Sequence, residues 1–318
     1  IDSLKRKADD GDSDSQVILA KGYENGLYSL DIDYKKAASY YKKSADQNNP
    51  LAQLFMGHCY YHGRGVRLND TEAWKYYNLS AEQNFSEAHL HIGQLYLNGI
   101  AGVEENHEKA CHHFTRAAVL GCGIAFRKLA TCYINGFYFE RDLKKAFNNY
   151  KRAADLGDAF SQYNVAVMYK DGEVVKKNVN MAFSYFKKSA DKGDKDAMFC
   201  LGSCYYDGTG AKKDIDKGIG LFKKASKHGS SQASFFLNLC KVAMGTLLLE
   251  ESNSESNKEK GIAYLKEAAD LGEPSALFSL ARCYFLGTFF RQDCEKSIEL
   301  IEKARKANHE IYSKNLHV

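Results

Sequence analysis

Proline is nearly missing from this chain of 318 residues: there are two, Pro50 and Pro274, each at the expected start of a helix. So few breakers over such a length point to an all-helical protein. No run of 18 apolar residues is present, so no membrane span or insertion is expected. No signal peptide is visible either. Charge of one sign is not concentrated: 44 basic residues face 40 acidic ones, for a net charge of +4. The Lys/Arg pairs recur at a regular interval and read as solvated helix faces, which argues against a nucleic-acid partner. Motifs that carry chemistry are absent as well. There is no His-Glu-x-x-His, no P-loop, no Gly-x-Ser-x-Gly and no Cys-x-x-Cys. Gly63-Arg64-Gly65 and Gly208-Thr209-Gly210 are glycine-rich but fall in loops between helices. The expectation is a non-enzymatic chain without a cofactor.

What is present is a period. A tyrosine and a glycine three residues apart return every 36 or 37 residues, at Tyr23/Gly26, Tyr60/Gly63, Tyr96/Gly99, Tyr133/Gly136, Tyr169/Gly172 and Tyr205/Gly208. Tyr284/Gly287 resumes the series after one degenerate copy. A period of this size marks stacked supersecondary units rather than one compact core. Each unit reads as two helices. The first carries Ala-x-x-x-Leu-Gly-x-x-Tyr-x-x-Gly, as in Ala197 to Gly208, with the apolar positions on one face. The residue after the leucine is small (Ala20, Gly57, Gly93, Ala130, Ala166, Gly202, Ala281), except for Asn238 in the seventh unit. The second helix is expected to start at an Asp or Asn N-cap: Asp33, Asn69, Asn106, Asp142, Asn178, Asp214, Asn257 and Asp293. It is expected to stop at Gly or Asn in the left-handed conformation: Asn48, Asn84, Gly121, Gly157, Gly193, Gly229, Gly272 and Asn308.

Five of the nine cysteines share one register position, just before the tyrosine or its replacement: Cys59, Cys132, Cys204, Cys240 and Cys283. Leu95 and Met168 stand there in other units, so the slot is apolar and the thiols read as buried and reduced. That favours a reducing compartment.

The pattern resembles the Sel1-like repeat family, relatives of the tetratricopeptide repeat. The stretches that carry the resemblance are Ala197-Met-Phe-Cys-Leu-Gly-Ser-Cys-Tyr-Tyr-Asp-Gly208 and Lys217-Gly-Ile-Gly-Leu-Phe-Lys-Lys-Ala-Ser-Lys-His-Gly229. The resemblance implies an all-α fold, a right-handed α/α superhelix of about eight helix-turn-helix repeats, with the first helices lining a concave groove. The expected repeats are 12–48, 49–84, 85–121, 122–157, 158–193, 194–229, 230–272 with an insertion, and 273–308. Residues 1–11 read as the end of a preceding, truncated repeat, and 309–318 as a C-terminal cap or the start of a further helix. Family members are typically scaffolds and adaptors for other proteins, in eukaryotic endoplasmic-reticulum quality control and signalling and in bacteria that meet host cells. A cysteine-rich bacterial subgroup associated with β-lactam binding carries a regular cysteine pair in each repeat. This chain has one recurrent cysteine, so neither disulfides nor that activity carries over.

The expected partner is another protein or an extended peptide, bound by a chain that is itself a monomer. The expected site is the groove. His58 and His62, one turn apart, with His91 of the next repeat beside them, are the one metal-like constellation. No Asp, Glu or Cys completes it, so the three read as groove-lining polar residues and no metal is expected. His112 and His113 are adjacent and point apart. Asn98, Asn135, Asp171 and Asp207 recur in one column suited to holding a peptide backbone. Phe236, Leu239, Ala243 and Leu286 make the C-terminal part of the groove apolar beside Arg282. In the seventh repeat Lys241 replaces the tyrosine, the first helix runs on, and an insertion follows around Glu250–Asn257. The extra leucines either form a docking patch or pack on the eighth repeat. In two aromatic loops Phe139 and Phe290 take the core slot of Val66, Val103 and Val175. Phe137, Tyr138 and Phe289 have no such duty and read as exposed anchors. A bacterial protein acting on a host or effector protein, in the cytoplasm or delivered to a host cytosol, is one expectation. A eukaryotic adaptor is the other.

Overall fold

The computed structural model describes residues 1–100, 102–250 and 254–315, with side chains to residue 308. Seventeen helices and no strand occur among the described residues. They are α1 (Asp2–Asp9), α2 (Ser13–Asn25), α3 (Tyr34–Asp46), α4 (Pro50–His62), α5 (Asp70–Glu82), α6 (Ser86–Asn98), α7 (His107–Val119), α8 (Gly123–Asn135) and α9 (Leu143–Asp155). Then follow α10 (Ala159–Asp171), α11 (Val179–Ala190), α12 (Lys195–Asp207), α13 (Ile215–Lys227), α14 (Ser231–Glu250), α15 (Glu255–Asp270), α16 (Pro274–Leu286) and α17 (Cys294–Asn315). The chain divides into two compact units, Ile1–Tyr185 and Phe186–Val318. Each is a run of antiparallel helix pairs, and the chain as a whole is an all-α solenoid of about eight repeats.

One device closes every regular repeat. The tyrosine carbonyl at the end of the first helix accepts the backbone N–H of the Asp or Asn that caps the second. The pairs are Asp33 to Tyr23, Asn69 to Tyr60, Asn106 to Tyr96, Asp142 to Tyr133, Asn178 to Tyr169, Asp214 to Tyr205 and Asp293 to Tyr284, at 2.8–3.0 Å. The same Asp or Asn then turns its side-chain oxygen onto an amide of the next turn, as Asp33 does to Lys36 at 2.9 Å and Asp142 to Lys145 at 2.9 Å. In four repeats a lysine of that turn also covers the tyrosine ring: Lys36, Lys109, Lys145 and Lys217, at 5.3, 5.2, 5.5 and 4.2 Å from the centroid. The glycine after the tyrosine takes a left-handed conformation that a side chain would resist, with φ of 66° at Gly26 and 80° at Gly208.

Small residues set the spacing within each pair. A Cβ on Gly57, Gly93 or Gly202 would come within 2.5, 2.6 or 2.8 Å of ring atoms of Tyr77, Phe114 or Phe222. Those rings are fully buried. Each contributes on the order of 2 kcal/mol by leaving water. Phe139 and Phe290 fill the loop core slot as expected, stacked on Tyr133 at 4.6 Å and Tyr284 at 4.2 Å. Pro50 and Pro274 are themselves the first residues of α4 and α16, where a missing N–H costs nothing.

Three expectations are corrected. Asn257 is not an N-cap, because α15 starts earlier, at Glu255 with Ser254 before it. Asn308 is not a C-cap, since α17 runs through it to Asn315, which also makes the tail a continuation of that helix. Asn238 is not the small slot of the seventh repeat. In the sixth repeat Gly202 faces Gly218 and Phe222, with the Gly202 carbonyl oxygen 2.9 Å from a Cβ built on Gly218. In the seventh it is Gly245 that faces Gly261 and Leu265, with the Gly245 carbonyl oxygen at the same 2.9 Å. Gly245 lies one heptad beyond Asn238. Seven residues are about two turns, so the packing face returns within ~20° while the crossing point moves about 10 Å along the helix. The N-terminal half of α14 therefore buries Ala233, Leu237 and Cys240, the last two beside Phe222, while its C-terminal half pairs with α15. The expected loop insertion is thus largely taken up as helix, with residues 251–253 of it outside the described residues.

This register makes a prediction. Gly245→Ala drives a Cβ to 2.7 Å from Leu265 Cγ and 3.0 Å from the Gly261 carbonyl oxygen, a cost of about 1–3 kcal/mol that outweighs the gain in helix propensity. Asn238→Ala removes a buried side-chain oxygen that has no hydrogen-bond partner, and is expected to be neutral or stabilising. Urea unfolding of both variants, followed by far-UV circular dichroism, checks the pair. Equal effects would place the small slot at neither residue.

Candidate functional site

The lengthened α14 builds a surface in the second unit together with α16. Its last turns, the C-terminal half of α16 and the loop after α16 enclose a cavity of about 360 Å³. Leu249, Leu286 and Phe289 give it apolar walls, and Thr246, Ser279 and Thr288 add hydroxyls. At its mouth Arg282 Nη1 stands 3.6 Å from Glu250 Oε1, an exposed pair that contributes little to stability and is open to exchange partners. Three expected site residues, Arg282, Leu286 and Phe289, are brought together here. Leu286 remains 54% exposed. Phe289, read as an unemployed anchor, is half-buried with the Lys258 ammonium 5.7 Å from its ring centroid.

Phe236 and Leu239 lie earlier on α14. Phe236 is partly spent on structure, set edge-on to Phe199 at 5.2 Å and near Phe222 at 6.1 Å, while Leu239 is exposed. Sequence reasoning missed Phe235, 57% exposed, which shares a second cavity of about 410 Å³ with Pro274, Ser275 and Phe278. It also missed Leu249 and Glu250. The signal was available: Val242, Thr246, Leu249 and Glu250 keep helical spacing past the point where other repeats turn. The extra leucines go two ways. Leu248 and Leu249 pack against Gly261 of α15, and Leu247 stays exposed. By length and composition alone α14 would suffice to cross a membrane. Here it carries Lys241, whose Nζ is 2.8 Å from Glu267 Oε2, and it crosses α15 at Gly245 as an ordinary repeat helix does.

In the first unit Asn98, Asn135 and Asp171 are exposed and are each the last residue of a first helix. Asp207 holds the same position on α12 in the second unit. A carboxylate at a helix C-terminus opposes the helix dipole, so Asp171 and Asp207 are not there for helix stability. Among the loop aromatics Tyr138 is 56% exposed. Phe137 is corrected: it is half-buried against the core of its repeat and stacks on His107 at 4.5 Å. No disulfide joins the nine cysteines, and Cys59, Cys111, Cys132, Cys240 and Cys283 are buried.

The histidines are more engaged than groove-lining residues would be. His58 Nε2 lies 3.2 Å from His91 Nε2, and His89 Nδ1 lies 3.1 Å from His113 Nδ1. His58 and His91 are half-buried, while His62 is exposed. Burial pushes His58 down to about 3, with His91, His62 and Arg64 adding repulsion. Burial lowers His91 too. His113 is pushed down to about 4 by burial and then by His89 and His112, and His89 is lowered by burial, Arg116 and His112. His112 and His113 thus do not act as a pair, but His113 has a partner, His89, on the other helix of its own repeat, which adjacency in sequence does not reveal.

Stacked two-helix units, seven of them closed by the same tyrosine-to-cap hydrogen bond, define an α-solenoid of the tetratricopeptide kind. Sel1 repeats match at residues 13–49, 50–85, 86–122, 127–158, 159–194, 195–230, 240–273 and 274–309, and the chain belongs to the Sel1 repeat family. The seventh match begins at 240, in keeping with the register set by Gly245. Such repeats are in general protein–protein interaction scaffolds, not catalysts. The chain is similar to a solved protective antigen present in uropathogenic Escherichia coli strains, at 25% identity and a TM-score of 0.73 over 96% of this chain. It spans 64% of the length of that protein. It is also similar to a Sel1 repeat protein from Oxalobacter formigenes, at 30% identity and a TM-score of 0.64, covering 69% of this chain and 89% of the other. A search of curated proteins gave no significant match.

The His113 environment predicts an acid response. An unfolded histidine titrates near 6.5 and the folded His113 near 4, so as pH falls the unfolded chain takes the proton first. The stability tied to neutral His113 is fully present above pH ~6.5 and is lost progressively toward pH ~4, with a slope on the order of 1 kcal/mol per pH unit at most after discounting for partial exposure. His113→Phe keeps a flat ring beside Tyr96 and should flatten the fall in urea midpoint between neutral pH and pH ~4.5. An unchanged slope would mean that the ring is solvated.

Proposed function

We propose that this chain is a non-enzymatic scaffold that holds a segment of another protein against its first helices, with the apolar surface of the seventh and eighth repeats as the main contact. The observation that carries the reading is the cavity between α14 and α16, where Leu249, Leu286 and Phe289 surround a space at one end of a helix lengthened by a heptad. Exposed apolar side chains with a polar rim are what a partner's anchor residue needs, and few such contacts carry most of the energy of an interface. Arg282 and Glu250 at the mouth supply charge on either side of an incoming side chain. The polar column of Asn98, Asn135 and Asp171 is the second contact, suited to the backbone of an extended peptide. Two solved relatives are bacterial, and one is described as a protective antigen of pathogenic strains. That supports a bacterial protein that engages a host or effector protein over a eukaryotic adaptor.

Selection of binders from a displayed random-peptide library, followed by fluorescence polarisation with each selected peptide, tests the site. Leu286→Glu and Phe235→Ser alter exposed positions and should leave the circular dichroism spectrum unchanged. They are expected to weaken the dominant peptide class at least about tenfold, the scale of losing a hot-spot contact. The double change Asn135→Ala with Asp171→Ala should cost less. Peptides that bind both α14/α16 variants as tightly as the unaltered chain would move the contact elsewhere.

A further inference from the structure

His58 on α4 and His91 on α6 meet where the second repeat stacks on the third, with 3.2 Å between their Nε2 atoms. Two arrangements give that distance. One is a hydrogen bond, with the proton on one of the two nitrogens. The other is a shared metal: with metal–nitrogen bonds of about 2.0–2.1 Å and a tetrahedral angle, two ligand nitrogens lie roughly 3.3 Å apart. The surroundings hold both rings in place. Tyr77 stacks on His91 at 5.9 Å with an interplanar angle of 8°, and meets His58 edge-on at 5.6 Å. Phe55 closes the other side of His58 at 5.7 Å. Both rings are half-buried with their Nε2 atoms facing one another, so the pair presents two nitrogens to one point. His62 sits one turn beyond His58, exposed, with its ring centroid 6.5 Å away. Glu87 sits one turn before His91 and is also at the surface side of the pair. Among the described residues no three ligating side chains already stand together as a metal site. The pair therefore supplies two fixed ligands, and a third has to turn in from the rim.

We propose that His58 and His91, with His62 rotating in as the third ligand, bind a divalent transition metal of the zinc type, with water or Glu87 in the fourth position. A set of imidazoles suits zinc, nickel and copper and not magnesium or calcium. Cys59, next to His58 in sequence, is buried and is not part of the set. The ion would staple α4 to α6 and so join adjacent repeats. Binding would be added to folding free energy at that junction, in the way metal sites couple to stability.

The full chain, stripped with a chelator, is titrated with Zn²⁺ by calorimetry and with Co²⁺ by visible absorption. One equivalent of metal, a tetrahedral Co²⁺ spectrum and a metal-dependent rise in Tm are expected. His62→Ala, at an exposed position, should weaken binding at least tenfold without changing the metal-free Tm. His91→Phe keeps the stack on Tyr77 and should abolish the Co²⁺ spectrum. The double change His89→Gln with His113→Gln, at the other histidine pair, should leave the single equivalent in place. No stoichiometric metal would overturn the proposal and leave the pair as a plain hydrogen bond. Metal bound equally by His62→Ala and the unaltered chain, or lost only in the His89/His113 variant, would overturn it as well.

Discussion

The hydrogen bond from a cap residue's N–H to the tyrosine carbonyl is the constraint on which the repeat architecture rests. A helix that ends at a left-handed glycine leaves its last carbonyls without intrahelical donors, and the helix that follows begins with amides without acceptors. Here one residue serves both ends. Asp142 donates its N–H to the Tyr133 carbonyl at 3.0 Å, and its side-chain oxygen accepts the Lys145 amide N–H at 2.9 Å. The reversal of direction is thereby fixed by three or four residues with no help from distant parts of the chain. Which face of each second helix turns its buried ring onto the first helix follows from that closure and from the small residue that lets the backbones approach.

A local closure of this kind explains why the seventh repeat can depart from the pattern without breaking it. The core needs a face, not a length. Adding a heptad to α14 returns nearly the same face to α15, so Gly245 replaces the usual glycine and Leu265 replaces the usual aromatic. What changes is the surface. The lengthened α14 carries Phe235, Leu239 and Leu247 into solvent and sets Leu249 and Glu250 beside α16. A change that is nearly silent inside the solenoid is therefore fully expressed outside it.

The same logic decides what was legible in the sequence. Seven of the eight expected N-caps hold, and so do the tyrosines, the turn glycines and the loop slot of Phe139 and Phe290, because each is satisfied within one repeat. Asn257 failed because spacing counted from the preceding cap assumes a helix of ordinary length, and α15 begins one turn early. Asn308 failed because nothing in the sequence opposes continuation of α17. Phe137 was misread because its partner, His107, belongs to a neighbouring helix and not to its own loop. For the histidines, register gave the neighbourhood of His58 and His91 but not the facing nitrogens or the burial that lowers them. Those depend on Tyr77 and Phe55 closing over the rings, which is a matter of side-chain packing between repeats and leaves no periodic trace.

Surfaces in such a protein are freer than cores, and that bears on where function lies. A position such as Gly57 or Gly202 is held by its neighbour to a fraction of an ångström. Asp171 and Asp207 sit where the helix dipole disfavours them, and Leu286 is apolar where water would favour a polar side chain. Residues placed against local preference, in a fold whose local preferences are otherwise met, have no structural reason to be there. In the first unit Asp171 stands at the end of α10; in the second, Asp207 stands at the end of α12 and Leu286 on the face made by α14 and α16. These three departures fall on first helices, whereas second helices such as α5, α7 and α13 turn a large buried ring onto the first helix of their repeat.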